Sequence, residues 1–284
     1  MINQRDLRFS FFLRLPMYIW SICFILVSFL YVIGLSFMTR GENIGVINEF
    51  TLDNYAKLAD PSYMRVMLNS LELALYTTGI CILIGYPFGY FMARLDPVPR
   101  SVVMLLVIVP FWTNALIRIY GWRILLIADG PVNTFLMNLG IISSPLRMMY
   151  TDGAVLLGMV YALIPFMILP VSTAVSRLDF TYVEAARDLG SNPAKAFLTV
   201  TLPLTIPGLM AGCVLVFIPS MGLFFLSDIL GGSKNLLAGG LIQRVINSRD
   251  LPFAAALSIL LLTVTGLVIM LYRKLGGGND MNMF

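Results

Sequence analysis

The chain has 284 residues, 58% of them hydrophobic and 12% charged, with a formal net charge of +4 and a mean hydropathy of +0.87. A water-soluble domain needs far more charge to cover its surface, so the composition is that of a polytopic membrane protein with no length left over for a separate soluble domain. The small net charge gives no reason to expect nucleic-acid binding, the absence of histidine removes the commonest metal ligand and general base, and Cys23, Cys81 and Cys213 all lie inside apolar runs, where they read as small core residues rather than disulfides or metal ligands.

A membrane-crossing helix needs about 20 mostly apolar residues. Six runs meet that length, at roughly 15–37, 68–93, 102–119, 154–174, 202–226 and 253–272, and predict an all-α protein with six transmembrane helices. The first run ends in Met38-Thr39-Arg40 without a small-residue cleavage site and reads as a retained anchor rather than a signal peptide. The polar stretch 41–65, with Leu52-Asp53-Asn54-Tyr55, reads as a compact loop on the outer side. In the third run Asn114 and Arg118 stand four apart on one helical face; Arg118 anchors the end of the span or pairs with an acid. Trp112, Tyr120 and Trp122 suit either an interfacial aromatic belt or substrate contact. The run 124–142 is broken by Asp129-Gly130-Pro131 and reads as short interfacial helices. Prolines such as Pro87, Pro165, Pro170 and Pro207 are either ordinary membrane-helix composition or breaks at which a cavity satisfies the freed carbonyls. No internal repeat of the kind found in many secondary transporters is visible.

Basic residues are denser on the side that holds the N-terminus, with Arg5, Arg8, Arg14, Arg94, Arg100, Arg273 and Lys274 close to span ends. That places both termini in the cytoplasm. The expected organisation is an anchor helix and outer loop over 1–67, a core over 68–272 that carries a polar cytoplasmic loop at 175–201, and a cytoplasmic tail over 273–284 that opens on Gly276-Gly277-Gly278 and reads as flexible.

The loop at 175–201 reads as two short helices. Asp179 or Thr181 can cap the first, Glu184-Ala185-Ala186 forms its body, and Gly190 suits the left-handed residue that ends it. Asn192 caps the second, with Pro193 at its first position. Ala185 and Ala186 let a partner surface approach the backbone, Glu184 and Arg187 offer directional ion pairs, and Leu189, Phe197 and Leu198 offer apolar contact. Taken by themselves these features describe either a docking knob or a helical hairpin lying at the membrane surface.

The longer pattern runs from Glu184-Ala185-Ala186 through Gly190 to Val200, Leu202 and Pro203, and it resembles the cytoplasmic signature of ABC-importer membrane subunits. Val200 stands where that family more often has Ile. The segments Phe50-Thr51-Leu52-Asp53-Asn54-Tyr55, Val109-Pro110-Phe111-Trp112-Thr113-Asn114, Gly222-Leu223-Phe224-Phe225-Leu226-Ser227-Asp228 and Arg249-Asp250-Leu251-Pro252-Phe253 are similar to the permeases of spermidine/putrescine importers, B-type subunit, with Leu251 where the family more often has Trp. The resemblance covers about 15–272. It implies the type I importer permease fold in a bacterial inner membrane, and a coupling role for Glu184, Ala185, Ala186, Arg187, Gly190 and Pro203 against an ATPase dimer. It further implies a second, C-type permease and an external polyamine-binding protein. The chain has no Gly-Lys-Ser/Thr phosphate loop, so ATP and Mg would belong to the separate ATPase, and the chain itself would carry neither cofactor nor metal.

For a cationic substrate the sequence offers Asp228, at the outer end of the fifth run beside Phe224 and Phe225. A carboxylate with aromatic rings gives a polyammonium ion both ion pairing and cation–π attraction, and acids at membrane depth are functional candidates; the other reading is an interfacial acid that terminates a helix. Glu72 is a second acid at span depth, so the pathway set is Asp228, Phe225, Trp112 and Glu72. An importer for another small solute, an ion-coupled secondary transporter and a membrane scaffold remain alternatives at this point. The secondary transporter would leave the Glu184 loop without a purpose.

Overall fold

In a bilayer every backbone polar group must find its partner within the chain, so long apolar runs fold as helices. The computed structural model describes residues 4–41, 45–232 and 236–275, and within these leaves aside the side chains of 4–14, 273 and 275. The side chains of Arg5, Arg8, Arg14 and Arg273, and the stretch from Gly276 on, therefore lie outside the described residues. In chain order the elements are α1 (Gln4–Ser36), β1 (Met38–Arg40), β2 (Val46–Phe50), α2 (Asp53–Leu58), α3 (Pro61–Ala93), α4 (Pro97–Ile108), α5 (Ala115–Leu126), α6 (Pro131–Asn138), α7 (Asp152–Ser176), α8 (Thr181–Asp188), α9 (Pro193–Ala196), α10 (Leu202–Gly222), α11 (Phe224–Leu226), α12 (Ala238–Asn247) and α13 (Leu251–Leu275). Five stretches are long and apolar enough to cross a membrane: Leu15–Ser36, Pro61–Ala93, Asp152–Ser176, Pro193–Gly222 and Leu251–Tyr272.

The continuous third helix expected over 102–119 is instead a pair, Pro97–Trp112 and Ala115–Asn138, bent by 93°, which makes a sixth span if the two count as one. A 3₁₀ turn at Val109–Trp112 tightens the end of α4, and Thr113 is extended. Asn114 then caps α5 by accepting the Leu116 N–H at 2.8 Å. Asn114 and Arg118 thus do not mark one face of a straight span; Asn114 starts a new helix. The run after it is helical up to Leu126, and Gly130 turns so tightly that a Cβ there would meet three carbonyl oxygens at 2.7–2.8 Å. The fifth run ends earlier than expected. α10 stops at Gly222, because Leu223 leaves the helical region (φ −74°, ψ 64°), and a π turn at Ser227–Gly231 follows.

The chain divides into two compact units. The first comprises the residues up to Met64 together with Ile242–Thr263. Here the loop after α1 holds a short antiparallel hairpin, β1 on β2, which the expected compact loop did not include; Met38 pairs with Phe50, and a bulge follows Met38. Phe37 stacks on Phe50 at 5.3 Å and on Tyr55 at 5.1 Å. Asn54 is buried and donates to the Ser36 and Met38 carbonyls at 3.0 and 2.9 Å, closing the end of α1 against α2. Asp250 caps α13 by accepting the Phe253 N–H at 3.3 Å and pairs with Arg40 at 3.7 Å. The two quoted motifs of this region are therefore a buried Asn closure and a helix cap.

The second unit comprises Arg65–Leu241 and the chain from Val264 on. Its core joins α3, α7 and α10 through Cys81, Tyr86, Leu163, Met167, Val171, Val175, Cys213 and Val216. Lipid tails are as apolar as these side chains, so close packing rather than transfer from water holds such helices together. Small residues supply the closeness: a Cβ on Gly208 would stand 2.3 Å from the Ala174 Cβ and 2.8 Å from the Pro170 carbonyl oxygen. A second cluster gathers Ile119 and Leu126 of α5, Val155 and Met159 of α7, and Leu226 and Leu230 around the π turn.

Candidate functional site

The polar loop between α7 and α10 is built by local chemistry. Asp179 sets its start: its Oδ1 accepts the Thr181 hydroxyl and, at 3.0 Å, the Thr181 N–H. Those two bonds, the hydroxyl first, hold the Asp179 carboxyl below its ordinary pKa. Of the two expected capping residues Asp179 is the acceptor, and the formal cap position falls to Phe180, whose side chain makes no cap bond. α8 carries Glu184 in its first turn and Arg187 in its last, each sign favourable to the helix dipole. It ends in a Schellman motif: Gly190, at φ +89°, donates to the Arg187 carbonyl at 2.9 Å, and Ser191 donates to that of Ala186 at 3.1 Å. Asn192 then accepts the Lys195 N–H at 2.7 Å, and Pro193 opens α9.

Between α9 and α10 lies a π turn, Phe197–Thr201. Pro203 has no N–H to give to the carbonyl of Thr199, four residues back, and its ring would crowd that carbonyl. The widened turn sits at that position, as such turns do at points of backbone conflict. With it, Pro193–Gly222 reads as one 30-residue span. The second helix of the loop is thus a direct extension of α10.

The loop presents an exposed ridge. Glu184, Ala185, Arg187, Gly190 and Pro203 are exposed and Ala186 is half-buried. Leu189 is 89% exposed, and its place between two polar helices leaves it no packing of its own. Behind the ridge an open groove of about 400 Å³ runs between the loop and the end of α3, walled in part by Tyr90, Arg94, Phe180 and Phe197. Sequence reasoning took Arg94 only as a span-end charge and missed the wall. The signal was there in the spacing of Tyr86, Tyr90 and Arg94, four apart on one helical face.

The four pathway candidates are less concentrated. Asp228 is exposed in the π turn beyond α11, and a Cβ on Gly240 of α12 would stand 3.9 Å from its Oδ1. Phe225 is half-buried against the second cluster and meets Phe224 edge-on at 6.3 Å. Trp112 is 78% exposed at the end of the 3₁₀ turn. Glu72 is exposed on α3, with the Tyr76 hydroxyl one turn on as its partner. Among the described residues no hydrogen bond, ion pair or ring contact joins Asp228, Trp112 and Glu72 to one another. Arg118 neither pairs with an acid nor simply caps a span: its guanidinium lies 4.4 Å over the Phe111 ring, and its Nε and Nη1 are buried without a hydrogen-bond partner.

Residues 85–275 match the model of the family described as binding-protein-dependent transport system inner membrane component. The chain belongs to that family. The span of the match runs from mid-α3 through the loop to the end of α13. The permease is 48% identical over 256 residues to the spermidine/putrescine transport system permease protein PotB of Escherichia coli (strain K12), covering 90% of this chain and 93% of that protein. It is 45% identical to the protein of the same description from Haemophilus influenzae, covering 90% of each. A molybdenum transport system permease protein, ModB, of Mycobacterium bovis is 28% identical over 76% of this chain. Among solved structures, a bacterial ABC transporter that imports the acidic polysaccharide alginate superposes with a TM-score of 0.74 at 17% identity, covering 98% of this chain and 97% of that one. That likeness fixes the fold as that of an ABC importer permease. The chain is accordingly a multi-pass inner-membrane transport subunit and not an enzyme.

Proposed function

We propose that this permease forms, with a second and different permease, the pathway along which an ATP-driven importer moves polyamines, spermidine and putrescine, handed over by a binding protein outside the membrane. The observation that carries this reading is the 48% identity with spermidine/putrescine permeases along 90% of the chain, against 28% for a permease of a molybdenum system. Both termini and the loop at 175–201 are on the cytoplasmic side. The ridge of Glu184, Ala185, Ala186, Arg187 and Gly190 docks an ATPase dimer that holds ATP and Mg, with Pro203 fixing the turn into α10. Asp228 is the carboxylate that meets the cation, with Phe225, Trp112 and a second acid, Glu72, elsewhere on the route. The exposed position of Asp228 beside Phe224 and Phe225 supports this, since an ammonium leaving water needs both charge and a ring face.

The test is reconstitution of this permease with its ATPase, second permease and binding protein in proteoliposomes, followed by uptake of labelled spermidine, putrescine and molybdate with and without ATP. ATP-dependent uptake of the polyamines alone is expected. Uptake by this chain by itself, or of molybdate in place of polyamine, overturns the proposal.

A further inference from the structure

α7 and α10 are covalently joined to the loop, so any displacement of the loop reaches them through the backbone. α3 is not joined to it, yet it is tied to both loop helices. The Arg94 guanidinium, from the turn that closes α3, sits 5.4 Å over the ring of Phe180, the residue that begins α8. The same group lies 5.7 Å over the Tyr90 ring, and its Nη1 donates to the Tyr90 hydroxyl at 3.4 Å. The second loop helix is held as well. Phe197, first residue of the π turn, meets Tyr86 edge-on at 5.8 Å and Tyr90 at 6.1 Å. One turn into α10, Thr205 is buried and its hydroxyl bonds that of Tyr86 at 2.7 Å. Tyr86, Tyr90 and Arg94 thus form one stripe on α3: Arg94 meets Phe180 at the start of the loop, both tyrosines meet Phe197, and Tyr86 also meets Thr205 in α10. Tyr86 belongs to the core, with Tyr90, Phe180 and Phe197 packed against its edge, and beyond them the stripe and the loop are separated by the groove of about 400 Å³, so the outer contacts, those of Arg94 above all, bridge a gap.

We propose that the stripe of Tyr86, Tyr90 and Arg94, closed on Phe180 and Phe197, is an aromatic–cation clasp that makes α3 a third driven element of the transport stroke, with Arg94 as its positioning residue. A loop joined only to α7 and α10 would reach α3 solely through the core packing of those helices. The clasp makes the end of α3 travel with the loop, and with it the start of α4, whose N-cap position, Asp96, comes only two residues after Arg94. A cation held over two rings is suited to this task. The attraction has little directional preference across a ring face, so it persists while the helices shift by small amounts, whereas a single hydrogen bond to a neutral group weakens steeply once bent. The inference rests on the reading of the ridge as the ATPase dock.

The experiment uses the full complex in proteoliposomes, with this permease as wild type, Arg94→Ala or Arg94→Lys at matched protein levels. Transport per ATP hydrolysed is expected to fall roughly tenfold in Arg94→Ala, the order of factor that loss of two cation–π contacts at an exposed site represents. Lysine keeps a cation over the rings and is expected to restore most of the ratio. A merely structural role for Arg94 would lower the amount of complex without moving the ratio. A spin label at Ile84, exposed on α3, reads the movement without reference to any substrate: nucleotide should shift its spectrum in the wild type and not in Arg94→Ala. An unchanged ratio, an Ile84 signal that still responds in Arg94→Ala, or loss of ATPase co-purification in that variant overturns the clasp. Absence of polyamine uptake in the wild type with a normal Ile84 response overturns the substrate and leaves the clasp standing.

Discussion

Gly190 offers the sharpest separation of backbone from side-chain effects in the ridge proposed to dock the ATPase. Its φ is +89°, and a Cβ placed on it would meet nothing within 4 Å. Gly190→Ala therefore adds no clash, and its cost is the left-handed conformation alone, about 1–2 kcal/mol. That energy corresponds to a population of the capped loop lower by roughly 5- to 30-fold. Gly190→Asn tolerates the same conformation better and should recover most of the loss. Gly190→Pro goes further than alanine, since proline locks φ near −65° and removes the N–H that reaches Arg187 at 2.9 Å. The assay is titration of the ATPase onto the purified permease pair, with membrane insertion as control, because the ridge lies outside the spans. The expected order of affinity is glycine, asparagine, alanine, proline. Alanine binding as tightly as wild type, or asparagine no better than alanine, refutes the argument that ridge geometry, set by one residue, governs docking.

Glu184→Lys should abolish ATPase co-purification while insertion is retained, since it reverses an exposed charge on the ridge and places a cation near the start of α8; retained co-purification would remove Glu184 from the dock. Asp228→Asn keeps the shape and removes the charge, and a charged hydrogen bond of about 1.5–3 kcal/mol makes the expected loss of polyamine uptake roughly ten- to a hundredfold, checked at matched protein levels. Gly208→Val should lower the thermal stability of the detergent-solubilised subunit by overpacking, about 1–3 kcal/mol or more, because the added Cβ alone overlaps Ala174 and the Pro170 carbonyl. At the start of α8 the folded-state pKa of Asp179 is depressed, so its stabilisation is present above the unfolded value near 3.9 and is lost as pH falls through the folded one. The protection of the Thr181 amide against exchange, taken relative to its intrinsic rate at each pH, should therefore fall only in acid, and Asp179→Asn should remove that pH dependence.

The parts legible in the sequence are those that neighbouring residues decide. Gly190 acts through its positive φ, Asn192 through the Lys195 N–H it accepts and Pro193 through its fixed φ, and the structure puts them in the expected roles. The long helices follow from apolar length. The bend in the third span was not legible: Thr113 and Asn114 are two polar residues in an otherwise apolar run, and only their geometry (an extended Thr and a capping Asn) shows that a new helix begins. The hairpin escaped because its first strand has three residues, too few to display alternation. Arg118 looked like a charge in need of an acid, whereas a ring seven residues earlier in the chain meets it, a contact created by the bend itself. The stripe of Tyr86, Tyr90 and Arg94 shows in its four-residue spacing, but its partners do not, since they lie 86 or more positions away and their proximity depends on how α3 packs against α7 and α10.

The first helix has a consequence of another kind. Only 6% of its apolar stretch Leu15–Ser36 is buried, so protein neighbours in this chain do little to fix its depth. Those 22 residues span about 33 Å at 1.5 Å per residue, against a hydrocarbon thickness near 30 Å. Its tilt answers to hydrophobic mismatch with the surrounding lipid. The hairpin is fastened to the end of that helix by Phe37, Ser36 and the buried Asn54, and to the start of α13 by Arg40 and Asp250. A change in the tilt of α1 with bilayer thickness therefore alters the distance of the hairpin from the bilayer midplane and is passed on to α13 through that ion pair.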